Sequence, residues 1–311
     1  MSDLVVAVDV GTGSARAGVL DRTGRLLGRA EHPIRMNRPQ PEHADQSTTD
    51  IWQAVGRAVR DALAEAGAER AAVKGISFDA TCSPVVLDRD GGPVTVSTGG
   101  DPDWDTIVWL DHRAVAEAEE CTATGHRILN YIGGVMSPEM ETPKLLWLKR
   151  RLPARWARPG LFFDLADFLT FKVSAAPARS QCTVTCKWTY LASPGWQRDF
   201  FGQLGAEDLL ERGALPAVAS PIREDLGPLT DEAAETLGLE RSCRVGVGLI
   251  DAHAGALGVL GGILDPGGDA PDRHIGMIAG TRPATWRFRR RRATCRESGA
   301  PISARFSRAC G

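Results

Sequence analysis

The stretch Asp9-Val10-Gly11-Thr12-Gly13-Ser14-Ala15-Arg16, set directly behind the apolar run Leu4-Val5-Val6-Ala7-Val8, constrains this chain more than any other. An apolar, β-branched run ending in Asp and two glycines reads as a buried strand breaking into a tight turn, where backbone N–H groups can approach an anion. The turn matches neither the P-loop pattern, since no Gly-Lys-Ser/Thr follows, nor the dinucleotide pattern, since the third glycine is absent. A strand-end carboxylate followed by Gly-Thr and a hydroxyl suits a metal-bound nucleotide phosphate: Asp9 faces the cation, while Thr12, Ser14 and the turn amides face phosphate oxygens. An ordinary hairpin in which Asp and Thr satisfy the turn is the alternative.

At 311 residues, 43% apolar and 24% charged, the chain can bury the core of one large domain or two ordinary ones. No apolar run reaches membrane-spanning length and no signal layout opens the chain, so a cytoplasmic protein is expected. Seven irregularly spaced cysteines argue against a disulfide framework, and Cys182 with Cys186 lacks a second ligand pair for zinc. The formal charge of −2 hides an asymmetry: Arg282 to Gly311 hold nine arginines and one glutamate, so the preceding residues carry about −10 by subtraction.

After the opening turn, Ala17–Leu20 and Arg25–Gly28 read as strands joined at Asp21-Arg22-Thr23-Gly24. A helix starting among Ser47 to Asp50 carries Ile51, Trp52, Val55, Val59 and Leu63 at helical spacing and runs out near Gly67. Val73–Phe78 is a strand that delivers Asp79-Ala80-Thr81-Cys82-Ser83 to its carboxyl end, where open α/β sheets gather ligands; a turn with a buried thiol is the plainer reading. Val85-Val86-Leu87 looks like a hairpin arm. Ile107–Leu110 reads as a strand ending in Asp111-His112-Arg113, where Arg113 is a bidentate clamp for a ligand or the partner of Asp111. Glu139 and Lys144 precede or open a helix over 144–149, and Asp164 is expected to cap a helix. Lys187 closes the alternating stretch that starts at Cys182. Asp251, at a strand end before Ala252-His253-Ala254-Gly255, is the best general-base candidate, and it can also cap the helix that follows.

Together these residues resemble the FGGY carbohydrate kinases, and within them the D-ribulokinase-like group. The resemblance covers residues 4 to 281 and rests on six motifs in the family's order: 9–16, Asp79 to Ser83, Trp109 to Ala114, Ser137 to Trp147, Cys182 to Trp188 and Gly248 to Gly255. Pro84 stands where the ribulokinase group usually has leucine. The resemblance implies an α/β, actin-like, ribonuclease H-like ATPase fold, with an N-terminal sugar-binding domain over 1–255 and the start of a C-terminal domain over 256–281. It implies ATP and Mg²⁺ as cofactors and a ketopentose substrate. By the same resemblance, Asp251 would take the proton from the sugar hydroxyl, and Ala80, Thr81, Cys82, Ser83, Asp111, Arg113, Glu139 and Lys187 would line the sugar site. Asp9, Gly11, Thr12, Gly13, Ser14, Arg16, Gly280 and Thr281 handle the nucleotide, with Asp9 toward the metal. A small-molecule sugar is the expected partner, membrane and nucleic acid are not, and a homodimer of the full-length protein stays open.

The pattern breaks after Gly280-Thr281, where the family's Ser-Thr-Cys-His-Met should follow and Arg282-Pro283-Ala284-Thr285-Trp286-Arg287 stands instead. Codons for Thr281 to Arg287 can be chosen that, with one base restored, read Thr-Ser-Thr-Cys-His-Met-Ala, and Arg296 to Gly311 yield a second family-like segment in the same shifted frame. Residues 282–311 are therefore expected to be out-of-frame translation and disordered, leaving a kinase fragment with little or no turnover. The rival reading takes Arg289 to Arg292 as a nucleic-acid-binding or targeting tail.

Overall fold

In the computed structural model, residues 3–261 are described, together with 275–278, 284–288 and 306–308. The apolar opening run forms strand β1 (Leu4–Val10), which turns through Gly11–Gly13 into β2 (Ser14–Asp21) and then β3 (Leu26–Pro33). The β2–β3 turn is closed by the Asp21 carboxylate, which accepts the Thr23 and Arg25 amides, and by Gly24 at φ +83°. After β4 (Asp45–Gln46) comes α1 (Thr48–Ala66), capped by the Ser47 hydroxyl on the Asp50 amide and stopped by Gly67 in the left-handed region. The buried stripe Ile51, Val55, Ala58, Val59, Ala62 lies on β2 and β3, and the approach is so close that a Cβ on Gly28 would sit 2.5 Å from the Ala62 carbonyl oxygen.

The chain continues through β5 (Val73–Ala80), β6 (Pro84–Asp88), β7 (Thr106–Ile107), α2 (Val115–Ala123), α3 (Glu141–Arg151), α4 (Pro153–Trp156), β8 (Pro159–Asp164), α5 (Leu165–Ser174) and α6 (Gln181–Lys187). Then follow β9 (Tyr190–Leu191), β10 (Gly195–Trp196), α7 (Arg198–Gln203), α8 (Leu209–Arg212), β11 (Asp225–Pro228), α9 (Asp231–Leu237), β12 (Arg244–Gly246), β13 (Leu249–Ile250) and α10 (Asp251–Gly261). The main sheet has seven strands, β11-β12-β5-β1-β2-β3 with β13 also on β5. β1, β12 and β13 run parallel to β5, whereas β2, β3 and β11 pair antiparallel. A second, four-stranded sheet runs β4-β7-β6-β8. One apolar core lies between the main sheet, α1, α5 and α9; another lies between the second sheet and α2, α3, α6, α7 and α8.

Two local expectations change. The strand expected over 107–110 ends at Ile107, because the Val108 amide turns to the Ala44 carbonyl and the Trp109 amide to the Ser83 hydroxyl, so the chain leaves the ladder. Asp164 precedes α5 but makes no side-chain cap; it is buried with neither oxygen hydrogen-bonded. Beyond residue 261, β14 (Ile275–Ile278), β15 (Ala284–Phe288) and β16 (Phe306–Arg308) pair antiparallel in order, so two pieces of the tail expected to be disordered form strands; the rest of the tail lies outside the described residues. Among the described residues no helix is long and apolar enough to cross a membrane.

Candidate active site

Three parallel strands end together. Asp9 on β1 stands opposite Asp79 on β5, Val10 and Ile250 both stand opposite Ala80, and Asp251 follows Ile250 as the first residue of α10. Parallel register thus brings three carboxylates to one sheet end, where α/β folds place their chemistry. Each pays for the others' presence electrostatically. Asp79 is pushed up to about 8, first by burial, then by the charges of Asp9 and Asp251 and by a hydrogen bond to Asp9 that keeps its proton. Asp251 is pushed up to about 6, chiefly by burial, opposed by the Ala252 amide at 2.6 Å, raised by Asp9 and lowered by the Lys187 ammonium. Asp9 itself is held by Arg16, Nη1 to Oδ2 at 2.7 Å, and Arg16 also reaches Glu31.

The phosphate turn is open where a ligand would need it. A Cβ on Gly13 would meet nothing, and one on Gly11 would meet only the mobile end of Arg16 at 3.3 Å. Thr12 accepts the Trp109 indole N–H at 2.9 Å, which leaves its own hydroxyl proton to donate, and its carbonyl accepts the Gln46 amide at 2.8 Å. Ser14 is buried, and its hydroxyl helps to hold the Glu31 carboxylate below its usual range. Gly280 and Thr281 lie outside the described residues.

The sugar-side residues divide. Ala80, Thr81, Cys82 and Ser83 form a buried bend after β5, with Thr81 and Ser83 hydroxyls 3.2 Å apart and Ser83 accepting the Trp109 amide. Trp109 therefore ties this bend to the phosphate turn. Lys187, at the end of α6, keeps its ammonium despite burial because Cys82, Cys186, Glu139 and Glu141 surround it. Glu139 meets the His112 ring at 3.2 Å. Asp111 and Arg113 are corrected: both side chains have no exposure, and Arg113 spends its donors on Asp111, Asp45 and the Val96 carbonyl while lying over the Trp147 ring. Their polar atoms are saturated within the protein, so they brace the loop instead of touching a ligand.

Sequence reading named Asp79 in the pocket cluster but gave it no role, although it stands one residue before the end of β5 as Asp9 does on β1, a signal visible in the parallel pattern of the two strands. It also left out Glu141, fully buried with both oxygens unbonded and pushed up to about 8, chiefly by burial. Among the described residues no three metal-ligating side chains converge on one point. A magnesium ion would find one or two strand-end carboxylates here, a donor set that suits a hard cation, and would need its other ligands from outside the protein.

Residues 4–258 match the N-terminal domain of the FGGY family of carbohydrate kinases. The chain is 44% identical over 287 residues to the FGGY carbohydrate kinase domain-containing protein of Homo sapiens, covering 91% of this chain and 50% of that one. It is 39% identical over 273 residues to a D-ribulokinase of Saccharomyces cerevisiae, covering 82% of this chain and 38% of the relative. A xylulose kinase of Brucella ovis shares its fold at a TM-score of 0.79 and 20% identity, over 98% of this chain and 60% of that one; a glycerol kinase of Plasmodium falciparum crystallised with ADP does so at 0.72 and 13%, over 92% and 54%. The chain spans about half the length of the curated relatives it matches. With the family's N-terminal domain matched over residues 4–258, this chain belongs to the FGGY family of carbohydrate kinases.

Proposed function

We propose that the chain carries the sugar side and the first phosphate turn of an ATP-dependent ketopentose kinase, with the terminal hydroxyl of D-ribulose as acceptor. The observation that carries this reading is Asp251, a strand-end carboxylate with a raised pKa, backed by the Lys187 ammonium and adjacent to Asp9 at the turn. The D-ribulokinase relative supports the pentose, and the ADP of the glycerol kinase supports the nucleotide.

Asp251 accepts the hydroxyl proton as the oxygen attacks; phosphoryl transfer has a loose transition state, so aim matters more than base strength. Lys187 and the 80–83 bend orient the sugar, and the amides of Gly11 to Gly13 with the Thr12 hydroxyl hold phosphate oxygens. Asp9 would hold a magnesium ion, which would supply positive charge to offset the negative charge of the nucleotide's phosphates.

The test is ADP release with a panel of pentuloses, alongside calorimetry with D-ribulose, on this chain and on one with the reading frame restored after Thr281. Asp251→Asn is expected to lower turnover by about 10²–10⁴-fold while D-ribulose still binds. Binding without turnover in any version would favour a non-catalytic sugar-binding lobe, and loss of both in a folded Asp251→Asn chain would remove Asp251 from the base role.

A further inference from the structure

The phosphate turn is held from behind by a side chain that takes no part in the strand-end cluster. Gln46 ends β4, where its backbone is fixed by pairing with Thr106 of β7 and by the neighbouring Ser47, the cap of α1. The residue is fully buried, and its side-chain amide donates from Nε2 to the Thr12 carbonyl at 2.8 Å. The next carbonyl of the turn, that of Gly13, accepts the Ile34 amide at 3.0 Å. The C=O and N–H of a trans peptide point in opposite directions, so a Thr12 carbonyl drawn inward to Gln46 turns the Gly13 N–H outward. Gly13 is exposed, a Cβ there would meet nothing within 4 Å, and its N–H has no acceptor among the described residues. The Thr12 hydroxyl, whose oxygen accepts the Trp109 indole, offers its proton from the adjoining residue.

The other atom of the same amide shows that packing alone does not explain a glutamine here. Gln46 Oε1 is buried with no hydrogen-bond partner among the described residues. A buried, unpaired polar oxygen lowers stability, and a methionine of similar size would fill the position without it. What methionine lacks is the donor that Nε2 gives to the turn.

We propose that Gln46 is a positioning residue, which holds the Thr12–Gly13 peptide with the Gly13 N–H aimed at the site of the nucleotide's phosphates. Successive backbone donors aimed at one point make an anion seat, and they serve best when their direction is set before the anion arrives. That this seat takes phosphate rests on the proposed function; the orientation of the peptide does not.

The experiment titrates the full chain with magnesium tripolyphosphate by calorimetry and reads the direction of the Gly13 N–H from residual dipolar couplings of isotope-labelled protein. Gln46→Met is expected to weaken tripolyphosphate binding by about tenfold, to change the Gly13 coupling, and to leave the urea midpoint unchanged or raised. Gln197→Met removes a matching buried bond, Nε2 to the Gly195 carbonyl at 2.8 Å, and should leave both tripolyphosphate affinity and the Gly13 coupling as in the parent. A Gln46→Met chain that binds tripolyphosphate as tightly as the parent, or whose Gly13 coupling is unchanged, overturns the proposal and leaves the phosphate reading standing. Weaker binding matched by an equal loss in Gln197→Met also overturns it, since general loosening then explains the result. A parent that binds no tripolyphosphate, with a Gly13 N–H that turns in Gln46→Met, upholds the positioning role and counts against the phosphate reading.

Discussion

Replacing Arg113 with methionine separates two readings of the same residue. The guanidinium lies between Asp45 and Asp111 with no solvent exposure on any of the three side chains, and its flat face covers Trp147. Methionine keeps much of the apolar contact but leaves two neighbouring buried carboxylates without their cation. Removing one partner from such a cluster costs about 3–5 kcal/mol, a large part of the ~5–15 kcal/mol that holds a domain together. With a urea dependence of about 3 kcal/mol per molar for a chain of this size, the unfolding midpoint should fall by about 1–1.7 M. Acid gives a second handle. Asp45 is already raised by its burial in spite of Arg113, and without the arginine it should rise further. A carboxyl whose folded pKa lies above its unfolded one favours folding at low pH and loses that benefit as pH climbs through the folded value. The deficit of Arg113→Met should therefore shrink between pH 7 and pH 5. Urea titrations at both pH values read it, with D-ribulose calorimetry as control. A variant as stable as the parent that has lost D-ribulose affinity would refute the structural role and restore the sugar clamp.

The wild-type chain should itself grow more stable as pH falls from 8.5 to 5.5, because Asp79 and Glu141 at about 8, and Asp105 and Asp167 at about 6, bind protons in the folded chain that the unfolded chain has already released; melting temperatures across that range check the sign. Gly28→Ala forces a methyl to within 2.5 Å of the Ala62 carbonyl oxygen and the Ala66 amide, so α1 must lift from β3 at a cost of about 1–3 kcal/mol, measurable as a lowered urea midpoint. Residues 282–311 are proposed to be out-of-frame translation; resequencing the coding DNA should show codons that regain the family pattern when one base is restored after Thr281, and an intact frame with incompatible codons ends that idea.

How much of this was legible depends on whether the signal was local. β1, the turn at Gly11–Gly13, α1 with its Ser47 cap and the Asp251 strand end are written in short-range pattern: apolar alternation, helical spacing, a capping hydroxyl, small residues after an acid. What escaped depends on partners distant in sequence. Ser14 reads as a phosphate ligand, and nothing local in the sequence signals that Glu31 of the neighbouring strand β3 stands close enough for its hydroxyl to act on. Arg113 reads as a clamp until Asp45, 68 residues earlier, is brought against it. Asp164 reads as a cap because the sequence gives no sign that Trp188 and Glu141 will enclose it.

The assignment of the base follows the same logic, since residue type alone cannot distinguish three aspartates at one sheet end. Asp9 is tied to Arg16 and aimed along the turn, so accepting a proton would cost it that ion pair. Asp79, the most strained by its neighbours' charges, keeps its proton up to about pH 8 and has nothing to accept with at neutral pH. Asp251 is buried enough to be pushed up to about 6, which makes it a better base than an exposed aspartate, yet Lys187 and the Ala252 amide keep it ionised at pH 7. Burial, one ammonium and one helix amide thus set three identical groups apart, and this supports the proposed base role of Asp251: Asp9 is ionised but spent on Arg16, Asp79 holds its proton, and Asp251 is ionised with a raised pKa.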